Sequence, residues 1–101
     1  MSNIYPILLR IPGAPNKLYA VINHTATPGT TGDTLTVTLS DPSGSVVATD
    51  ELRVPRSGHM DLCTPVVTVT AAGTYIYTLC SGSNSTPSAT ATIPIWDQDI
   101  T

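Results

Sequence analysis

The stretch Asp33-Thr34-Leu35-Thr36-Val37-Thr38-Leu39-Ser40-Asp41-Pro42-Ser43-Gly44 alternates without a break, with Leu35, Val37 and Leu39 on one side and Thr34, Thr36 and Thr38 on the other. A period of two is the repeat of a strand with one dry face and one wet face, whereas a helix would scatter these side chains around its axis. The run ends in residues that stop a strand. Asp suits the first position of a type I turn, Pro the second, and Gly the close. Ser45 to Thr49 then returns, so the stretch predicts a β-hairpin.

The same grammar extends outward in both directions. In Gly73 to Cys80, Tyr75, Tyr77 and Leu79 share a face; Ser81 to Ser85 is a turn, and Ser88 to Ile95 comes back with Ala89, Ala91, Ile93 and Ile95 opposite Ser88, Thr90 and Thr92. Between the two hairpins a strand is expected over Val66 to Thr70 and a loop over Pro55 to Pro65. Upstream, Lys17 to His24 reads as a strand closed by Thr27-Pro28-Gly29. No segment holds a 3.6-residue period for ten positions. About seven short strands with turn signals every 8–12 residues predict one antiparallel β-sandwich. The expected organisation is an all-β domain over 16–96, an extended N-terminal arm or edge strand over 1–15, and a short acidic tail over 97–101.

Composition agrees with the pattern. The chain has 101 residues, enough for one domain and one core. Hydrophobic residues make up 41%, but charged residues only 11%, against about 25% in an average globular domain. Hydroxyls supply the missing polarity, with 17 Thr and 9 Ser. Thr is β-branched and prefers a pleated surface to a helix. The net charge is −3, and the only cations are Arg10, Lys17, Arg53 and Arg56. Four scattered cations do not make the clustered basic surface that binds nucleic acid or an anionic membrane. Cys63 and Cys80 are too few for a disulfide framework and form no C-x-x-C, so two half-buried thiols are expected. The sequons at Asn23 and Asn84 fit chance in a Thr-rich chain.

Two segments carry a resemblance: Leu35-Thr-Val-Thr-Leu-Ser-Asp-Pro-Ser-Gly44 and Ala72-Gly-Thr-Tyr-Ile-Tyr77. Together they resemble an immunoglobulin-like β-sandwich of the bacterial or viral kind, over about residues 17–95. The second resembles the corner before the sixth strand of that fold, which makes Tyr75 the corner tyrosine, its hydroxyl bonded back to the chain upstream. The match is incomplete. Ala71 stands where antibody-type domains have Asp, Tyr77 where they have Cys, and Trp96 lies near the end rather than on the third strand. The antibody disulfide core is therefore absent, and a fold that hosts many roles does not name one.

Catalysis needs a nucleophile, base or metal in fixed mutual geometry. His59-Met60-Asp61 offers a His–Asp pair, but no G-x-S-x-G elbow accompanies it, and two histidines match no zinc motif. Asp97 and Asp99, or Asp50 and Glu51, fall short of the oxygen-rich loop that calcium requires. No catalytic residue, metal or cofactor is expected. Sugar-binding sandwiches use exposed rings as platforms; aromatics are 5% here, leaving Tyr5 and Trp96, with His59 in the expected loop as a further ligand contact.

An interaction role remains. A threonine-faced surface with few Lys or Arg suits long display outside a cell. Yet Ile4 to Leu9 is no export signal, since nothing basic precedes it, Arg10 follows it and Pro6 interrupts it. No stretch approaches the ~20 apolar residues of a membrane span. Immunoglobulin-like modules of this sort occur on phage heads and tails, so the chain resembles a small virion protein, made in the host cytoplasm and released in the particle. The resemblance implies a capsid decoration or cement protein. Its partners would be the major capsid protein or sister subunits, and it would be a monomer or a trimer on a symmetric shell. The alternatives are a tail, baseplate or head-fibre component that binds host glycans, or a stand-alone carbohydrate-binding module. Pro12, Gly13 and Pro15 stiffen the junction after Ile11. This permits two readings of the N-terminus: Ile4, Tyr5, Ile7, Leu8, Leu9 and Ile11 dock on a neighbour, or they form a first strand on the chain's own core.

Overall fold

The computed structural model describes residues 2–11, 14–29, 32–81 and 87–100. Eight strands run β1 (Ser2–Ile11), β2 (Ala14–Ala26), β3 (Thr34–Ser40), β4 (Val46–Arg53), β5 (Gly58–Cys63), β6 (Val67–Thr68), β7 (Gly73–Ser81) and β8 (Ala89–Ile95), followed by a helical turn, α1 (Asp97–Ile100). They form two antiparallel sheets. Sheet A has the order β1-β2-β5, with β6 also paired to β2; sheet B has the order β4-β3-β7-β8. The all-β sandwich expected from the alternating pattern is the fold.

The core lies where the dry faces meet. Leu35, Val37 and Leu39 from β3 and Tyr75, Tyr77 and Leu79 from β7 are buried against Leu18, Ala20 and Ile22 from β2, with Met60, Ile93 and Ile95 filling in. The deciding hairpin turns as its sequence requires. Gly44 N donates to Asp41 O at 2.9 Å, and the Asp41 carboxylate accepts from Ser43 N at 3.0 Å and Ser45 N at 2.9 Å. At the corner before β7, Tyr75 Oη donates to the Ala71 carbonyl at 2.8 Å, the bond that the resemblance implies. Gly73 holds φ +132 with Pro42 against it, and a Cβ there would lie 2.5 Å from Pro42 Cγ. The corner and the β3–β4 turn are thereby locked together.

Three expectations need correction. Pro55 to Pro65 is not one loop: Gly58–Cys63 is β5, with Met60 buried and Leu62 half-buried between outward His59, Asp61 and Cys63. Its alternation is real, but Gly58, His59 and Asp61 are poor strand formers, and pairing with β2 overrides their propensity. β6 shrinks to two residues because Asn16 takes over beyond it, accepting from Val69 N at 3.1 Å and donating its side-chain amide to Val69 O. Residues 97–100 are not a loose acidic tail. They form α1, where Asp99 is buried and its carboxylate accepts from Trp96 N at 2.8 Å, as a third-position acid does when it caps a first turn. Of the two readings of the N-terminal run, the described structure has the strand: β1 pairs with β2 from Ser2↔His24 to Leu9↔Lys17, and its other side lies beside β8.

Candidate interaction surface

Strand parity sorts the N-terminal apolar run into two sets. Ile4 is 7% exposed and belongs to the core, Leu8 packs on the core's margin, and Pro6 shares their parity. As a partner-docking residue Ile4 is thus a correction, because its side chain is already committed inside. Tyr5, Ile7 and Leu9 point the other way, onto the outer face of sheet A; Tyr5 is 53% exposed and the other two are half-buried. Ile11 lies in β1, but its side chain is outside the described residues.

The registers of β1, β2, β5 and β6 arrange this outer face in rows. Thr25 and His59 form the first row; Asn3, Asn23 and Asp61 the second; Tyr5, Val21 and Cys63 the third; Ile7 and Tyr19 the fourth; Leu9, Lys17 and Thr68 the fifth. Successive rows are about 7 Å apart along the strands, so the face runs from a polar end, through an apolar middle, to Lys17. Tyr19, Val21 and Cys63 are the residues that sequence reading missed. The available signal was parity: β1 and β2 carry apolar residues at both odd and even positions.

The outer face of sheet B differs. Thr49, Thr38, Thr78 and Thr90 form one unbroken cross-strand row over all four strands, flanked by Thr36, Thr74 and Thr92. The outer face of sheet B is thus rich in hydroxyls but also carries the exposed Ile76 and Val46, whereas that of sheet A carries the exposed Tyr5 with Ile7, Leu9, Tyr19 and Val21 half-buried around it.

At the polar end of sheet A the expected His59–Asp61 pair is not in direct contact. Asn23 Nδ2 stands between them, donating to Asp61 Oδ1 at 3.1 Å and to His59 Nε2 at 3.2 Å. That leaves His59 Nδ1 to carry the ring proton and donate to Thr25 Oγ1 at 3.3 Å. The cluster is exposed on an open sheet. An imidazole with both nitrogens engaged in this way is positioned as a surface network rather than as a base facing a nucleophile. One strand inward, His24 contacts Ser2 Oγ, and burial holds its imidazole below the usual value. Among the described residues no three His, Cys, Asp or Glu side chains come together as metal ligands.

Of the two expected ligand contacts, Trp96 is 56% exposed just before α1 and His59 is exposed on β5. A groove of about 170 Å³ between the sheets at the β4–β6 flank includes neither; Val47, Val67, Val69, Ala71 and Tyr75 line it with Asp41. Cys63 and Cys80 form no disulfide: Cys63 sits on the outer face of sheet A and Cys80 on that of sheet B. Among the described residues no helix is long and apolar enough to cross a membrane.

No protein-family model matches the sequence, and neither does any curated protein.

Proposed function

We propose that the protein is a non-enzymatic structural component of a virus particle, a decoration or cement protein of the bacteriophage kind, held by apolar contact to the head shell or to sister subunits. The observation that supports this reading is the inequality of the two outer faces. A sheet face carrying Tyr5, Ile7, Leu9, Tyr19 and Val21 side by side, partly exposed, suits being covered, whereas the outer face of sheet B, mostly threonine apart from Ile76 and Val46, suits contact with water. The virion assignment adds the immunoglobulin-like resemblance of Leu35–Gly44 and Ala72–Tyr77, an argument by likeness. Its partners are then coat proteins, its location the particle, and its chemistry shape and burial rather than turnover.

Immunogold electron microscopy on particles from the source culture, with antibody to the purified protein, tests the reading. Regular labelling of heads supports it. Labelling confined to tails moves the protein to the tail or fibre alternative, and absence from particles refutes the virion assignment.

A further inference from the structure

The middle row of the β1–β2 hairpin is Pro6↔Ala20. Ala20 commits its N–H to Thr64 Oγ1 at 2.9 Å and its C=O to Thr64 N at 2.9 Å, both on the side away from β1. The backbone of Pro6 therefore faces away from β2, towards the side where β8 lies without pairing to β1, and the missing N–H of proline falls at the centre of that edge. A proline there blocks edge-to-edge growth of the sheet. A partner of β1 must approach its face.

That face is self-complementary about the same row. Counting outward from Pro6↔Ala20, Tyr5 mirrors Ile7, Val21 mirrors Tyr19, Asn23 mirrors Lys17, Asn3 mirrors Leu9, and Asp61, beside Asn23, mirrors Thr68, beside Lys17. A two-fold axis lying in the interface across the strands, over Pro6 and Ala20, would bring each residue onto its mirror. Tyr5 would pack on Ile7 of the other copy, Tyr19 on Val21, and each Lys17 ammonium would reach the exposed Asp61 carboxylate, which already accepts one bond from Asn23. An axis along the strands would instead bring Lys17 against Lys17. Charge thus selects one of the two ways to stack the faces, and an isologous contact of this kind closes on itself.

We propose that the outer face of sheet A is a two-fold interface for a second copy of this chain, with Lys17 and Asp61 as its reciprocal charged contacts. This rests on the reading above that the face is an attachment surface, and it names the occupant. Four rows on three strands give a flat footprint of roughly 400 Å² per copy, about half of what each partner buries in a standard stable interface, so the dimer is weak and concentration-dependent. The threonine faces of both copies remain outward.

Sedimentation velocity across a wide concentration range, on the full chain and on charge variants checked for fold by circular dichroism, tests this. The wild type should shift from monomer towards dimer as concentration rises. Lys17→Glu and Asp61→Lys should each weaken the dimer by about tenfold or more, because each sets like charges together. The double variant carrying both should return to within about threefold of wild type. A wild type that stays monomeric to its solubility limit overturns the proposal, as does a double variant no better than either single one. So does a monomer whose sheet A face binds an oligosaccharide instead. Particle labelling separates this from the functional reading: a monomer that still decorates heads removes the two-fold interface and leaves the virion role standing.

Discussion

Replacing Tyr75 by Phe and, separately, Tyr77 by Phe deletes the same oxygen atom at two places on one strand face, and the two deletions should have opposite consequences. Both rings are buried in the same core. The Tyr75 hydroxyl donates to Ala71 O at 2.8 Å and ties the corner before β7, so its loss should cost about 1 kcal/mol, the net value of one such bond. The Tyr77 hydroxyl faces Thr64, yet among the described residues it makes no hydrogen bond of full geometry, and burial, partly offset by the nearby Thr64 hydroxyl, pushes the phenol up to about 12. Its removal should be neutral or stabilising by up to about 1 kcal/mol, since a buried unpaired hydroxyl carries a desolvation cost. The two variants should therefore separate by about 1–2 kcal/mol, or roughly 5–10 °C in Tm for a chain of this size. Urea titrations followed by far-ultraviolet circular dichroism read the difference directly. The alkaline limb adds a signature. An unfolded tyrosine releases its proton near 10, whereas Tyr77 keeps its own to about 12, so its contribution is whole below pH 10 and is lost as pH rises through that window. The slope is about 1.4 kcal/mol per pH unit, and it should vanish from the difference curve in Tyr77→Phe. Equal losses for Tyr75→Phe and Tyr77→Phe would refute the reasoning, because the Tyr77 oxygen would then have a partner that the packing does not provide.

Other outcomes follow from the same geometry. Gly73→Ala should destabilise by about 2–4 kcal/mol in denaturant titration, since a methyl group must enter a φ of +132 and displace the Pro42 ring. Deleting residues 2–11 should abolish a folded monomer rather than release an arm, because the deletion removes Ile4 from the core and strips β2 of its partner along its length; a truncated chain with native-like dichroism would contradict this. Acidification should weaken the fold through His24: burial lowers its pKa below 6.5, so the stability it contributes is present above pH 6.5 and falls away as pH drops through the folded value, which urea midpoints across that range would reveal. Leu18→Ala should cost about 3 kcal/mol, whereas Leu9→Ala on the outer face should cost a fraction of that, although both residues lie in the same hairpin.

Much of this architecture was legible because β3, β7 and β8 each have one face in the core and one in water, and alternation reports that contrast directly. The turn at Asp41-Pro42-Ser43-Gly44 was legible for another reason, that its residues form the turn's bonds themselves. β5 was hidden because its inward residues, Met60 and Leu62, sit among His, Asp and Gly, and only the pairing with β2 makes it a strand. The N-terminal run was ambiguous for a physical reason. Apolar residues at both parities of β1 suit equally an arm lying on a neighbour and a first strand packed on the chain's own core. Pairing with β2 decides it: Ile4 faces inward and Tyr5, Ile7 and Leu9 face outward. Tyr19 and Val21 were overlooked because they looked like the back of an ordinary strand. Only the register, which sets them beside Ile7 and Tyr5, makes them part of a surface.

The two thiols provide the most direct test of which surface is covered. Cys63 stands in the third row of the sheet A face, next to Val21, and Cys80 stands on the opposite sheet, next to Thr36. The measurement is the rate of maleimide labelling at each cysteine, by mass spectrometry, in the protein assembled on its particle and in the same protein dispersed. The account predicts that Cys63 labels readily when dispersed and is protected on assembly, while the rate at Cys80 is unchanged. Equal labelling of Cys63 in both states, or protection of Cys80 instead, would contradict it.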